Sequence, residues 1–299
     1  MKNGFLEEPA HGVYAVVGAA ADPLEAHRNL VREQQLSATV PWFAARRSAA
    51  LLMGIPLIGS APAQAQLVRD GGARGAHGRD RFLWVSPLHP SDTWEYGGVD
   101  MCAPARTVVD IARAESFRNA VVVADAALRR GVDPAQLEEV LKRMKRWPGV
   151  VRARRAVRFA DGRAESPGES LVRVASLRER LPILEPQVEI YLWGEFLGRV
   201  DGLLREYLLA VESDGAVKFT QANVLPDLIE RQERIRYAGV DVLRTNWDET
   251  FSRTQRFGDR MRERLKERGL RSLPQGVELR STKVRPLLPL LGQPDSLAA

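Results

Sequence analysis

The run FLGRVDGLLREYLLAVESDG, residues 196–215, decides the fold of the C-terminal half of this chain. It contains two apolar stretches of strand length, separated by a short turn at residues 205–206, so we predict an antiparallel hairpin. Each predicted strand is interrupted by an acid, Asp201 in the first and Glu212 near the end of the second. Charged groups are costly to bury in apolar strands, which favours a functional role for both.

The segments around this hairpin predict a sheet flanked by helices. Helices are expected at 166–181 (SPGESLVRVASLRERL) and 223–239, and further strands at 186–193 (PQVEIYLW) and 240–247 (VDVLRTNW). The order is therefore helix, three strands, helix, strand. Tight turns make the first three strands antiparallel neighbours, and the crossing helix allows the last strand to join in parallel.

The front half alternates short strands with helices. Strands are predicted at 12–17 and 82–86, and helices at 41–54, 105–131 and 133–147. We therefore predict an α/β (α+β) chain with four parts. These are an N-terminal mixed α/β domain at 1–149, a basic linker at 150–165, a second domain at 166–272 and a flexible tail at 273–299.

The composition is typical of a folded protein that can bind a polyanion. Lysine and arginine total 44 against 38 acidic residues, which gives a net charge of +6. The single cysteine, Cys102, excludes an intramolecular disulfide and a cysteine-based metal site. We predict a cytoplasmic protein without a membrane segment, because no signal-peptide pattern and no long apolar run is present.

The positive charge is concentrated between Lys142 and Arg163, where nine basic residues accompany one acid. A phosphate-facing surface is one interpretation, with Arg152, Arg154 and Arg155 as nucleic-acid contacts. An ordinary solvated surface is the other. A second basic run at 253–271 is interleaved with acids, which favours a solvated helix with ion pairs between successive turns.

The acids of the C-terminal half predict a metal site. Asp201 and Glu212 can meet across the hairpin, and Asp214 follows Glu212 on the same face. Converging carboxylates repel one another but suit Mg²⁺. Two alternatives stay open: Glu169 completes the capping pattern S-x-x-E, and Asp214 precedes Gly215 in a typical turn dipeptide. Trp84, Trp193 and Trp247 are expected to pack in cores.

Five motifs carry a resemblance to a nuclease family. The segments that together resemble the very-short-patch-repair-like branch of the PD-(D/E)XK endonuclease superfamily are GESLVRVASL, PQVEI, GRVDGLL, LLAVESDGAVKF and ERQERIRYAGVDVLRTNWDE. The resemblance implies that Glu169, Asp201 and Glu212 bind Mg²⁺ or Mn²⁺. This chain has Asp214 where the pattern E-x-K has a lysine, so Lys218 is expected to supply the ammonium.

The helix that follows the hairpin offers further candidates. Arg231, Gln232 and Arg234 could contact phosphate, and they are equally ordinary residues for a surface helix.

The front half has a resemblance of its own. RRSAALLMGIPL, CAPARTVVDIAR and AVVVADAALRRG are similar to segments of AbiEi-type antitoxins of type IV toxin–antitoxin systems, over roughly residues 12–131. Such proteins begin with a winged helix-turn-helix. HGVYAV resembles the end of its wing, so the winged-helix part is expected to be truncated here.

Two functions follow as hypotheses. The first is a metal-dependent DNA endonuclease in phage defence or a toxin–antitoxin-type system. The second is a non-catalytic DNA-binding antitoxin, regulator or interaction protein that retains a nuclease fold. The partners expected are DNA and a cognate toxin or phage protein.

Overall fold

The computed structural model describes residues 6–10, 13–16, 22–72, 74–214 and 225–284. The chain divides into two compact units, and the boundary lies between Ala160 and Asp161. The architecture is mixed α/β in both units, which confirms the predicted α+β class.

Within its described residues, the first unit contains a six-stranded mixed sheet and six α-helices. Its strands are β1 (Leu6–Ala10), β2 (Val13–Val16), β3 (Phe43–Ala44), β4 (Ala65–Arg69), β5 (Ala76–His77), β6 (Arg81–Val85), β7 (Thr93–Tyr96) and β8 (Val99–Cys102). Its helices are α1 (Pro23–Leu36), α2 (Arg46–Leu52), α3 (Pro104–Ala114), α4 (Phe117–Arg129), α5 (Pro134–Arg143) and α6 (Val150–Phe159). The strand order in the sheet is β5-β6-β4-β3-β8-β7, and β1 and β2 form a separate hairpin.

Helix α3 is the centre of the helical layer. Proline at its first position suits a helix start, because that residue needs no backbone N–H donor. Its residues 105–112 are all buried, and the helix contacts α2, α4, α5 and α6. This central position explains why α3 can hold buried charged residues, which are described below.

The structure differs from the expected linker at 150–165. Residues 150–159 form α6, whose apolar side Val150, Ala153 and Ala156 is buried. The helix packs on α3 and α4, so this segment belongs to the body of the first unit. Of the wing-like HGVYAV, residues 13–16 form strand β2, and residues 11–12 lie outside the described ranges.

The second unit contains the predicted helix–strand order. Its elements are α7 (Pro167–Arg178), β9 (Glu185–Leu192), β10 (Glu195–Leu204), β11 (Leu209–Asp214), α8 (Leu225–Tyr237), β12 (Asp241–Asn246), α9 (Trp247–Phe251), α10 (Thr254–Arg268) and β13 (Val277–Ser281). The sheet order is β12-β11-β10-β9-β13. Strands β9, β10 and β11 are antiparallel neighbours and β12 is parallel to β11, which confirms the predicted topology.

Strand β13 lies in the segment that was expected to be a flexible tail. It pairs antiparallel with β9 from Val277 to Ser281 and completes one edge of the sheet. The tail prediction is therefore wrong for residues 277–281. Residues 285–299 lie outside the described ranges.

Apolar side chains cover both faces of this sheet. On one face, Val188, Val200 and Val242 pack with Ile235 of α8. On the other face, side chains of β11 and β12 pack with α7 and α10. The second unit is thus a sheet with helices on both faces, and the acids Asp201 and Glu212 lie on its strands β10 and β11.

The second basic run coincides with α10. Ion pairs join Arg262 to Asp259 and Arg264 to Glu267 along this helix. This agrees with the solvated helix predicted for the run. None of the helices in the described ranges has the length and apolar character needed to cross a membrane.

Candidate functional site

Glu169 lies in the first turn of α7, beside Gln187 of strand β9. Ser166 caps the helix, because its Oγ accepts from the Glu169 backbone N–H at 3.2 Å. The Ser166 hydroxyl in turn donates to Glu169 Oε1 at 2.9 Å. Glu169 Oε2 accepts from the Glu165 backbone N–H at 2.7 Å and from Gln187 Nε2 at 2.8 Å. Ser166 therefore caps the helix as the pattern predicts, whereas the Glu169 side chain accepts from the Glu165 backbone N–H and not from that of the cap residue. These hydrogen bonds hold the carboxylate in one orientation.

Asp201 lies where β10 and β11 separate. Their backbone register runs from the pair Leu204–Leu209 to the pair Gly202–Val211. At the next position the Ser213 backbone N–H donates to Asp201 Oδ2 at 2.9 Å. A side-chain carboxylate thus takes the place of a main-chain acceptor, which fixes Asp201 at the opening between the strands.

Gly168 allows the start of α7 to lie against this opening. A Cβ atom at residue 168 would lie 2.4 Å from Ser213 Oγ, well inside van der Waals contact. A larger residue at this position would require the Ser213 hydroxyl to rotate away, so glycine suits the close approach of the first turn of the helix to β11. The close approach brings Glu169 toward Asp201.

Glu169 and Asp201 line one cavity of about 680 Å³, which we call the acidic cavity. Its charged lining residues are Glu165, Glu169, Glu189, Asp201, Arg199 and Arg231. Arg199 pairs with Glu165 at 3.0 Å, and Arg231 pairs with Glu212, outside the lining. Four carboxylates and two guanidinium groups thus line the cavity, and this excess of acids favours a cation over a free phosphate.

The environment of Glu169 opposes its ionisation. Burial and the nearby charge of Asp201 raise the pKa of Glu169 to about 7, although its hydrogen bonds from Glu165, Gln187 and Ser166 act in the opposite direction. Without a cation, the buried carboxyl is therefore partly protonated near neutral pH.

This raised pKa predicts how stability depends on pH. The stabilisation that protonated Glu169 gives the folded state is complete below its usual pKa of 4.5 and is lost as pH rises through about 7. Glu169→Gln does not titrate, and its amide can keep the same three partners. In EDTA we expect the variant to exceed the parent above pH 8 by about 3 kcal/mol at most.

The measurement is the free energy of unfolding of both proteins in urea between pH 4 and 9. The difference should vanish below pH 4.5, where Glu169 is protonated in both states. Glu195→Gln, a substitution at an exposed position, is the control. Its free energy of unfolding should not diverge from that of the parent as pH rises through about 7. Parallel pH curves for Glu169→Gln and the parent would contradict a raised pKa.

Glu212 is not brought to the acidic cavity. Its carboxylate is buried and points toward α8, where it is bound by Arg231 Nη2 and by Gln232 Nε2, the latter at 3.2 Å. Asp214 pairs with Arg244 of β12, whose Nε lies at 3.0 Å. Among the described residues, no three His, Cys, Asp or Glu side chains are placed to hold a metal ion. Lys218 lies outside the described residues.

An irregularity in the sheet separates Asp201 from Glu212. In a regular antiparallel pair, opposed residues share a face. Here Val200 and Leu203 both point into the core beneath α8, although they are three positions apart. Gln187 on the neighbouring strand has a left-handed backbone, with φ 54°. The alternation of side chains between the two faces of the sheet is therefore broken between Val200 and Leu203. As a result, the Asp201 carboxylate lies on the face of the sheet that carries α7.

The predicted nucleic-acid contacts of α8 have partners within the protein. Arg231 lines the acidic cavity, and Gln232 is a buried donor to Glu212. Arg234 binds Glu195 near the β9–β10 turn. Of the three, only Arg231 is placed at the cavity.

The arginines predicted in the basic run mostly contact their own unit. Arg152 donates to the backbone carbonyl groups of Ala112 and Arg113 at the end of α3. Arg154 donates to the Leu141 carbonyl at 3.3 Å, and the Arg155 guanidinium lies over the Phe117 ring. These contacts satisfy helix C-termini and an aromatic face. The charge of α6 therefore has a structural use, and its role in binding DNA stays a prediction.

Several residues of the cavity were not singled out from the sequence. Glu165, Glu189 and Arg199 line it, as does Phe196, which is 49% exposed. Trp193 was expected in a core and is 71% exposed at the β9–β10 turn. The Trp-Gly pair at residues 193–194 was the available signal, since a turn displays its side chains to solvent.

The acidic cavity fits a hydrated divalent cation. Glu169 and Asp201 offer hard oxygen donors, and Mg²⁺ commonly binds through one or two carboxylates while keeping several waters. The excess of acids over free guanidinium groups in the lining supports the same conclusion. Glu169 and Asp201 would hold the ion.

Comparison with known proteins gives relatives without an assigned function. A segment of 111 residues is 37% identical to proteins from two strains of Mycobacterium tuberculosis, both described as uncharacterised. It covers 37% of this chain and 41% of each relative, so the chain spans about two fifths of the curated relatives it matches. No family model and no solved structure matches the chain. The two family resemblances therefore stay predictions.

Proposed function

We propose that the second unit is a nuclease-like module that cleaves DNA with Mg²⁺ or Mn²⁺ held by Glu169 and Asp201. One observation carries the proposal: acids from α7 and β10 converge on one cavity where β10 and β11 separate. Glu212 and Asp214, in contrast, form ion pairs with Arg231 and Arg244. The resemblance to PD-(D/E)XK endonucleases points to the same two residues.

The lining residues have distinct roles in this proposal. When bound, the metal ion would neutralise the scissile phosphate and lower the pKa of the attacking water. Glu169 and Asp201 would hold the ion, and the backbone N–H of Ser213 holds Asp201 in place. Arg199 and Arg231 lie close enough to the same cavity to stabilise phosphate charge. We expect slow cleavage, because no lysine is among the described residues that line the cavity.

Incubation with DNA tests this function. The full chain is mixed with supercoiled plasmid and with labelled single- and double-stranded oligonucleotides, in Mg²⁺, Mn²⁺ or EDTA. The proposal predicts nicked or cut products that require the metal. Intact DNA after prolonged incubation with a molar excess of protein, in both metals, would contradict it.

A non-catalytic DNA-binding regulator is the second candidate. The observation that favours it is the ion pair between Arg231 and Glu212, which engages a carboxylate expected to be a metal ligand. This candidate predicts salt-sensitive DNA binding without cleavage. A role beside a cognate toxin or phage protein, in the cytoplasm, belongs to the same proposal and rests on the AbiEi-like segments of the front half.

An aromatic rim beside the acidic cavity supports contact with bases. Phe196 lines the cavity and packs on Tyr191, with ring centroids 5.3 Å apart. Trp193 precedes Phe196 in the chain and lies in the turn between β9 and β10. Exposed aromatic rings next to a site for a backbone phosphate are typical of proteins that stack unpaired bases.

Phe196→Ala should therefore weaken binding of single-stranded DNA. Loss of one stacked base costs about 1–3 kcal/mol, or roughly 5- to 150-fold in affinity. Fluorescence anisotropy with a labelled oligonucleotide in Ca²⁺ measures this change. Tyr237→Ala is the matched control, because Tyr237 is 85% exposed and is not among the residues that line the cavity. Equal losses in both variants would show that the rim has no special role.

A further inference from the structure

The first unit contains a second charged cavity, with the opposite sign. Its volume is about 370 Å³, and it lies between the sheet, α3 and the segment after α5. Four arginines line it, Arg46, Arg106, Arg113 and Arg146, against the single acid Asp110. We call it the arginine cavity. None of its residues was assigned to a ligand site from the sequence: Arg146 belongs to the basic run, and Trp84 was expected in a core.

Two of these arginines are compensated by acids. Asp110 Oδ2 accepts from Arg106 Nε at 2.7 Å, and Asp110 Oδ1 accepts from Arg113 Nη1 at 2.8 Å. Arg106 also donates to Asp92 at 2.9 Å. Both oxygens of Asp110 are therefore hydrogen-bonded, and neither of these bonds is to Arg46 or Arg146.

Arg46 and Arg146 have no hydrogen-bond acceptor or ion-pair partner within the described part of the chain. The Arg46 guanidinium lies over the Trp84 ring, 3.8 Å from its centroid. Burial lowers the pKa of Arg46, which is the sign of a cation removed from water without a sufficient counter-charge. The backbone of Arg46 is left-handed, with φ 48°, a conformation that residues other than glycine adopt rarely. Strain of this kind is concentrated at binding sites.

The cavity wall also offers aromatic surface. Trp84 and Trp147 both line it, and the Trp147 ring faces the guanidinium groups of Arg113 and Arg106 at 4.8 and 5.3 Å. The volume exceeds that of a small inorganic ion, so a ligand would place an organic part against these rings. The wall thus combines unpaired cations with apolar surface.

We propose that the arginine cavity binds a phosphate monoester. A monoester carries about 1.5 to 2 negative charges near neutral pH. It therefore balances the charge of two unpaired guanidinium groups more fully than a ligand with a single carboxylate would. The planar fork of arginine binds phosphate oxygens in pairs. Arg46 and Arg146 would bind the phosphate, while Arg106 and Arg113, held by Asp110, shape the wall. The ester is either a free small molecule, such as a nucleotide, or the terminal phosphate of a nucleic-acid strand.

Isothermal titration calorimetry of the full chain in EDTA tests the proposal. The probes are inorganic phosphate, AMP, and one single-stranded oligonucleotide with either a 5′-phosphate or a 5′-hydroxyl. Tighter binding of AMP than of the phosphorylated strand assigns a free nucleotide, and a preference for the 5′-phosphate over the 5′-hydroxyl strand assigns a strand end. The site lies in the first unit, so the result is independent of cleavage by the second.

Substitutions tie the binding to the cavity. Arg46→Gln and Arg146→Gln should each weaken binding of the preferred phosphate ester at least about tenfold, and Arg46→Lys should restore part of it. Arg79→Gln, an exposed arginine outside the cavity, should bind as the parent does. The melting temperature of Arg46→Gln should change little, because the substitution removes the stacking on the Trp84 ring but no hydrogen bond or ion pair of the described residues. The proposal is overturned if no probe binds at millimolar concentration, or if Arg46→Gln binds as tightly as Arg79→Gln.

Discussion

Asp201→Asn will reduce metal-dependent DNA cleavage by about 100-fold or more, since several kcal/mol of transition-state stabilisation depend on the ion that Asp201 holds. The amide oxygen of asparagine can still accept from the Ser213 backbone N–H, so the strand opening is kept. The loss should therefore come from charge and not from misfolding. Initial rates of plasmid nicking in Mn²⁺ measure it, together with the melting temperature of each protein.

Glu195→Gln is the matched control for this prediction. Glu195 lies on the same strand as Asp201, but it pairs with Arg234 and is not among the residues that line the acidic cavity. It should cut DNA at the parental rate. If Asp201→Asn also cuts at that rate, the activity arises elsewhere and the assignment of the cavity is wrong.

Arg106→Met will destabilise the first unit by about 3 kcal/mol, because it removes the buried counter-charge that Asp92 and Asp110 share. Each acid is left with a single arginine, Arg143 for Asp92 and Arg113 for Asp110. Arg106 is only 1% exposed. It binds Asp92 and Asp110 and also donates to Ser86 Oγ at 2.8 Å and to the Pro87 carbonyl at 3.0 Å. This network connects the loop after β6 with α3, the central helix of the unit.

Urea unfolding measures the change in free energy, and hydrogen exchange of the α3 amides assigns it to the first unit. Lys142→Met is the control, since Lys142 forms an exposed pair with Glu139 and its loss should change the stability little. A change for Arg106→Met as small as that of the control would mean that the buried network adds no net stability.

The order of elements in the second unit was predictable because its patterns are local. Alternating apolar residues define β9, β10 and β11, and Ser166 with Pro167 marks the start of α7. The parallel pairing of β12 follows from the helix that precedes it. Asp201 was identifiable as an acid inside an apolar strand.

Other features depend on contacts between distant residues. The face on which Asp201 lies is set by the irregularity near Gln187, which no local pattern indicates. The pairing of Glu212 with Arg231 depends on how α8 crosses the sheet. Strand β13 is short, and its partner β9 lies far from it in the sequence of the unit.

Helix α6 is a different case, because its signal was present in the sequence. Val150, Ala153 and Ala156 recur at helical spacing within the basic run. The surrounding arginines suggested a linker or a phosphate-binding surface. In the structure, several of them instead satisfy helix ends and an aromatic ring of the same unit.

Binding of Mn²⁺, followed by electron paramagnetic resonance at pH 8, tests the central claim most directly. The acidic cavity predicts one specific site in the parent protein, strongly weakened in Asp201→Asn and in Glu169→Gln and retained in Glu195→Gln. Absence of specific Mn²⁺ binding by the parent, or equal binding by the parent and Asp201→Asn, would contradict a cation site formed by Glu169 and Asp201.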